Sequence, residues 1–141
     1  MKAFLEHYGL YLAWVVALAA TGGSLYLSEV RGFVPCQLCW FQRIFMYPLV
    51  VLLGLASYRG DARAVTYVLP LSLIGIFLSG YHYLEQKVSW VGSGPFCGVG
   101  VPCTTEYLNL LGFITIPLMS LVAFTLITIS LWPLRQTVPD A

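Results

Sequence analysis

The sequence predicts an all-α protein: a polytopic membrane four-helix bundle, one domain over residues 1–141, with cysteine-bearing external loops. Three observations carry this. The chain is 59% hydrophobic and 9% charged, with a mean hydropathy of +0.82, too little charge to cover a soluble surface. Apolar stretches recur at about 10–27, 38–57, 64–84 and 113–132, each long enough, or nearly so, to cross a bilayer core of ~20 helical residues. Finally, Cys36, Cys39, Cys97 and Cys103 fall at helix mouths or in connections, never in mid-span. The connections are too short for a separate soluble domain, and a net charge of +1 argues against nucleic acid as a partner.

The first span follows Lys2 and contains Ala17-Leu18-Ala19-Ala20, which could pass for a signal-peptide cleavage site. Its apolar character runs on through Leu25-Tyr26-Leu27, longer than a typical signal core, so it reads as an uncleaved first helix. Gly22-Gly23-Ser24 offers small residues for close helix approach or for a ligand. A short solvated link with Glu29 and Arg31 follows.

The second span is announced by Pro35, since proline suits the first helical position. From Ile44 to Ser57 it supplies only ~21 Å of helix, less than the hydrocarbon thickness. To cross, it must use its own first turns, drawing Cys39 and Arg43 into the interface beside Trp40 and Phe41. Residues 58–63 read as a tight polar hairpin that makes spans two and three antiparallel neighbours. Pro48, Pro70 and Pro117 are candidate kinks.

Span three ends on Gly80-Tyr81-His82-Tyr83-Leu84-Glu85. His82 is placed either to hydrogen-bond a bound headgroup, with Glu85 orienting it, or as an ordinary interfacial histidine. His7, near the opposite face, has no cysteine neighbour. Residues 86–112 form the longest connection, a glycine- and proline-rich loop in which five residues separate Cys97 from Cys103. That spacing permits ring closure, either as a static staple or as a mobile disulfide. Span four has no ionisable residue, and its Ser and Thr side chains are expected to bond the backbone or an adjacent helix. The tail after Pro133 is expected to be disordered.

Parity puts both cysteine pairs on one side, because one follows span one and the other span three. The opposite side carries Lys2, Arg59, Arg63 and Arg135 against Arg31 and Lys87, so the positive-inside bias favours cytoplasmic N- and C-termini and extracytoplasmic cysteine loops in a cell membrane. Two cysteine pairs on one face suit an oxidising compartment.

The chemistry concentrates in Pro35-Cys36-Gln37-Leu38-Cys39-Trp40-Phe41-Gln42-Arg43. Helical spacing puts Cys36, Cys39 and Arg43 on one face, with Arg43 ~6 Å deeper than Cys39. A helix N-terminus and a nearby cation both favour the thiolate, the form that attacks a disulfide or another electrophile. Gln42 reads either as part of a hydrogen-bond network or as an interfacial polar residue. A structural disulfide with a snorkelling arginine is the plainer alternative.

These residues together resemble the disulfide bond formation protein B family (DsbB/BdbC) in its short form: four spans, Pro-Cys-x-Leu-Cys followed by Trp40-Phe41-Gln42-Arg43, and a second external cysteine pair. The resemblance covers nearly the whole chain, and implies a disulfide-generating thiol:quinone oxidoreductase. A thioredoxin-like dithiol oxidase (DsbA/BdbD-like) would dock outside and attack Cys97–Cys103, at Cys97. Electrons would reach Cys36–Cys39 by exchange through Cys103 and Cys36, then pass from Cys39 to a membrane quinone, menaquinone or ubiquinone. The resemblance makes all four cysteines catalytic and Arg43 a stabiliser of the thiolate and of the developing quinol anion. Cys39, Arg43, Gln42 and His82 are the candidate quinone-binding residues, with no metal. Two departures stand out: the second pair is closely spaced, and His82 does not line up with the histidine associated with quinone binding in the longer branch.

Three other readings compete. In a vitamin K epoxide reductase-like protein the membrane Cys-x-x-Cys follows the loop pair, whereas here it precedes it. A disulfide-stapled tetraspan subunit would have no catalysis. A four-cysteine zinc site would hold metal and resist exchange.

Overall fold

The structure, a computed structural model, describes residues 2–32, 37–88 and 116–138. It comprises α1 (Lys2–Leu25), continued by a π-helical turn (Tyr26–Val30), then α2 (Gln37–Arg59), a short 3-10 turn (Ala62–Ala64), α3 (Val65–Lys87) and α4 (Ile116–Thr137). Each helix is long and apolar enough to cross a membrane, and no strand occurs among the described residues. Each packs on its chain neighbours, and α1 on α4, closing a four-membered ring. Large apolar side chains such as Val15, Val51, Phe77 and Ile129 face outwards, as lipid rather than water would require.

Residue size sets how closely the helices approach. On α1, a Cβ at Gly9 would lie 2.5 Å from the Ser130 carbonyl oxygen of α4. On α3, one at Gly75 would collide with the ring of Phe124, which is fully buried. On α2, one at Gly54 would stand 2.9 Å from Trp14 Nε1. Gly22 and Gly23 behave differently: open space surrounds both, so they make no close helix approach. The core runs between these contacts, with Ala13, Ala17, Leu49, Leu53, Val65, Val68, Ile127 and Leu131 completely or almost completely enclosed.

The α2–α3 connection is the expected hairpin. Gly60 takes the left-handed conformation (φ 65°), and Asp61 N–H reaches back to Ala56 O at 3.0 Å to close the end of α2. Asp61 Oδ1 then accepts from Arg63 N–H at 3.0 Å and opens the next element.

Element ends depart from the sequence reading in three places. The first helix runs on to Val30 through the π turn, over residues read as a link. Span three extends to Lys87, because Glu85 is buried rather than solvated. The tail expected to be disordered after Pro133 is helical to Thr137: Leu134 is buried, its Cδ1 reaches Gly9, and Thr137 Oγ1 donates to Leu134 O at 2.8 Å. Packing outweighs the one intrahelical bond that proline removes. Pro117, expected as a kink, stands in the first described turn of α4.

Candidate functional site

The site is built where the second half of α1, the first half of α2 and the first half of α4 meet. Consecutive helices run antiparallel, so these halves share one end of the bundle. Leu38, the residue between the paired cysteines, is fully buried against Cys39, Phe41 and Tyr81. It anchors the start of α2, and helical spacing (i, i+3, i+4, i+7) then sets Cys39, Gln42, Arg43 and Met46 along one stripe of the helix.

They face a cavity of about 420 Å³. Its wall includes Ala20, Gly23 and Ser24 from α1, Cys39, Gln42, Arg43, Met46 and Tyr47 from α2, and Met119, Ser120 and Phe124 from α4. Position along the helices makes it amphiphilic. Ser24, Ser28, Cys39, Gln42, Arg43 and Ser120 gather at the cysteine-bearing end, while Val16, Ala20, Ala123 and Leu126 lie towards mid-membrane. A flat molecule with polar ring substituents and an apolar tail fits such a space.

Arg43 is tied to this wall rather than extended to the interface. Its Nε donates to Ser24 Oγ at 2.8 Å and its Nη2 to Ser24 O at 3.0 Å. The Trp40 ring covers the guanidinium, with Cζ 5.5 Å from the ring centroid. Cys39 is half-buried, one turn outward of Arg43 on the same helix.

Behind the wall runs a polar network joining α2, α3 and α4. Gln42, 5% exposed, donates through Nε2 to His82 Nδ1 at 3.0 Å, which places the ring proton on Nε2. Ser120 Oγ lies 2.9 Å from Gln42 Oε1, 3.0 Å from Ser79 Oγ and 2.9 Å from Pro117 O, with a single proton to serve them. So Gln42 enters a network, the first of its two readings. His82, only 1% exposed, is not among the described residues lining the cavity; it stands behind Gln42. Cys36, Cys97 and Cys103 lie outside the described residues.

Sequence reasoning missed three contributors. Ser24 was singled out for its size, not for its hydroxyl and carbonyl. Ser79 and Ser120 were not named, although the hydroxyls of span four were expected to bond the backbone or an adjacent helix, as Ser120 does; a serine with no solvent to face is the signal that could have singled them out.

Residues 7–133 match the family model described as disulfide bond formation protein DsbB. The chain is 58% identical over 120 residues to disulfide bond formation protein C of Bacillus subtilis strain 168, covering 85% of this chain and 87% of the relative. It is 49% identical over 125 residues to probable disulfide formation protein C 1 of Bacillus anthracis, covering 88% and 89%. It is 44% identical over 124 residues to a probable disulfide formation protein of Coxiella burnetii, covering 87% and 84%. No solved structure matches. With a family model and relatives of this identity spanning most of its length, the chain belongs to the DsbB family of membrane disulfide bond formation proteins.

Proposed function

We propose that the protein is a thiol:quinone oxidoreductase of the cell membrane that reoxidises a thioredoxin-like extracytoplasmic dithiol oxidase. One observation carries this: Cys39 and Arg43, on successive turns of α2, share the wall of an amphiphilic cavity of about 420 Å³. A bound quinone supplies a two-electron acceptor that takes up two protons on reduction.

The chain's own residues would work as follows. The reduced partner's thiolate attacks the Cys97–Cys103 disulfide at Cys97, forming a mixed disulfide and releasing Cys103 as a thiolate. The partner's second thiolate resolves that bond, so the partner leaves as a disulfide and Cys97 is released as a thiolate. Cys103 attacks Cys36 of the Cys36–Cys39 pair, releasing Cys39 as a thiolate on the cavity wall, and Cys97 then displaces Cys36 from Cys103, restoring the Cys97–Cys103 disulfide and leaving Cys36 and Cys39 reduced. Arg43, ~6 Å further along α2, offers positive charge to that thiolate and directs donors to an oxygen beside it. Gln42, held from behind by His82 and Ser120, presents its amide at the same wall. His82 would act through Gln42.

The drive must come from a strong oxidant. A soluble oxidase of this kind has a potential near about −120 mV, and each ~30 mV is worth about 1.4 kcal/mol for a two-electron couple. The basic residues Lys2, Arg59, Arg63 and Arg135 support cytoplasmic termini and extracytoplasmic cysteines.

The test mixes purified protein in detergent with a reduced thioredoxin-like oxidase and a soluble quinone, and follows quinone bleaching. Wild type turns over, Cys39→Ser does not, and Cys97→Ser fails with the protein partner. Turnover by Cys39→Ser at the wild-type rate would overturn the proposal.

A further inference from the structure

We propose that Ser24 is a positioning residue that, together with Trp40, aims Arg43 into the cavity. An arginine this close to a helix end ordinarily extends its charged head towards the interface. Here the opposite arrangement is built. The Nε–Nη2 edge of the guanidinium is committed to Ser24, by a 2.8 Å bond to the hydroxyl and a 3.0 Å bond to the carbonyl oxygen. One face is covered by the Trp40 ring. A guanidinium is planar and carries five N–H donors in a fixed fork, so holding one edge and one face also orients the rest. Nη1 and the second Nη2 proton remain to serve a ligand. Ser24 itself lines the cavity beside Arg43, so the clamp belongs to the same wall.

The clamp joins two helices. Ser24 stands on α1 just before the π turn at Tyr26–Val30, and Arg43 on the second turn of α2. Ser24 thus makes the direction of Arg43 depend on the α1–α2 packing instead of on a flexible side chain alone. Alanine at position 24 would remove the bond to Nε and leave the carbonyl bond alone, which a rotating guanidinium can keep while swinging outward.

This inference rests on the quinone reading above, and its test separates the two. Binding of a short-chain 1,4-benzoquinone is titrated by quenching of tryptophan emission, and turnover is measured in parallel. Ser24→Ala is expected to weaken quinone binding and raise its KM about tenfold, the loss of one charge-assisted hydrogen bond, with a smaller change in kcat at saturation. Ser24→Thr, which keeps the hydroxyl, restores both. Ser24→Cys, of nearly the same size with a poor acceptor, repeats the alanine result without a packing defect. The Arg43 Nε–H resonance, slowly exchanging in wild type, exchanges fast in Ser24→Ala. In an Arg43→Gln background Ser24→Ala has no further effect, since the two residues act as one unit. Wild-type affinity in Ser24→Ala and Ser24→Cys, or an undiminished effect in the Arg43→Gln background, overturns the inference while leaving quinone reduction intact. A wild type that neither binds nor reduces the quinone overturns both.

Discussion

Gln42 of α2 and His82 of α3 meet inside the bundle at 3.0 Å, both almost fully buried, and Gln42 is one of the residues that line the cavity. His82 itself is not among the described residues that line the cavity.

His82→Phe leaves the Gln42 amide nitrogen without its acceptor inside the bundle. The expected cost is about 1–3 kcal/mol, from the unmet donor. It is measured as a lower unfolding midpoint in a denaturing-detergent titration. Quinone KM should rise as well, since the Gln42 amide loses one of its two anchors; an unchanged midpoint would remove the network's structural role.

Arg43→His shortens the side chain and breaks its bidentate contact with Ser24. Apparent KM for quinone should rise about tenfold or more, while KM for the protein partner stays near wild type. Steady-state kinetics with each substrate varied in turn decides this. Equal effects on both would remove Arg43 from the cavity's work.

Gly23 lines the cavity, and a Cβ built there meets nothing within 4 Å. Gly23→Leu should fill the space without disturbing helix packing. Quinone KM should rise with no fall in unfolding midpoint, and disulfide exchange between partner and loop cysteines, read by gel under single-turnover conditions, should persist.

The glycines should separate by what they touch. Gly9→Ala drives a methyl against the Ser130 carbonyl, a backbone atom that cannot rotate away, and should cost about 1–3 kcal/mol. Gly75→Ala should cost a similar amount but be relieved by Phe124→Leu, because its obstacle is a side chain. Gly22→Ala, in open space, should leave the midpoint unchanged or raise it. Unfolding midpoints of the four variants check the ordering.

Much of the site was legible as spacing. Cys39 and Arg43 lie one turn apart in any helix, so their shared face followed from the pattern alone. Gly22-Gly23-Ser24 was ambiguous between helix approach and ligand because glycine spacing does not say what stands opposite. Helix packing resolves it: Gly9, Gly54 and Gly75 take the close contacts, and Gly23 is left to the cavity. The end of α4 was misread for a related reason. Proline was taken as a stop, but the partner that keeps Leu134 in place, Gly9, is more than a hundred residues away in the chain.

By itself the sequence determined four apolar helices, the hairpin at Gly60-Asp61, the face on which Cys39 and Arg43 stand, and the family to which these belong. The first three are consequences of local periodicity, turn chemistry and composition; the family rests on the signature at residues 35–43 and on the relatives that match most of the chain. Only the tertiary structure decided that Ser24 holds Arg43, that His82 backs Gln42, and that a cavity opens at the α1–α2–α4 junction. In a membrane every helix is apolar all round, so hydrophobic pattern carries little record of which faces meet. That is settled by close packing at small residues and by the few hydroxyl, amide and guanidinium groups that must find partners away from water.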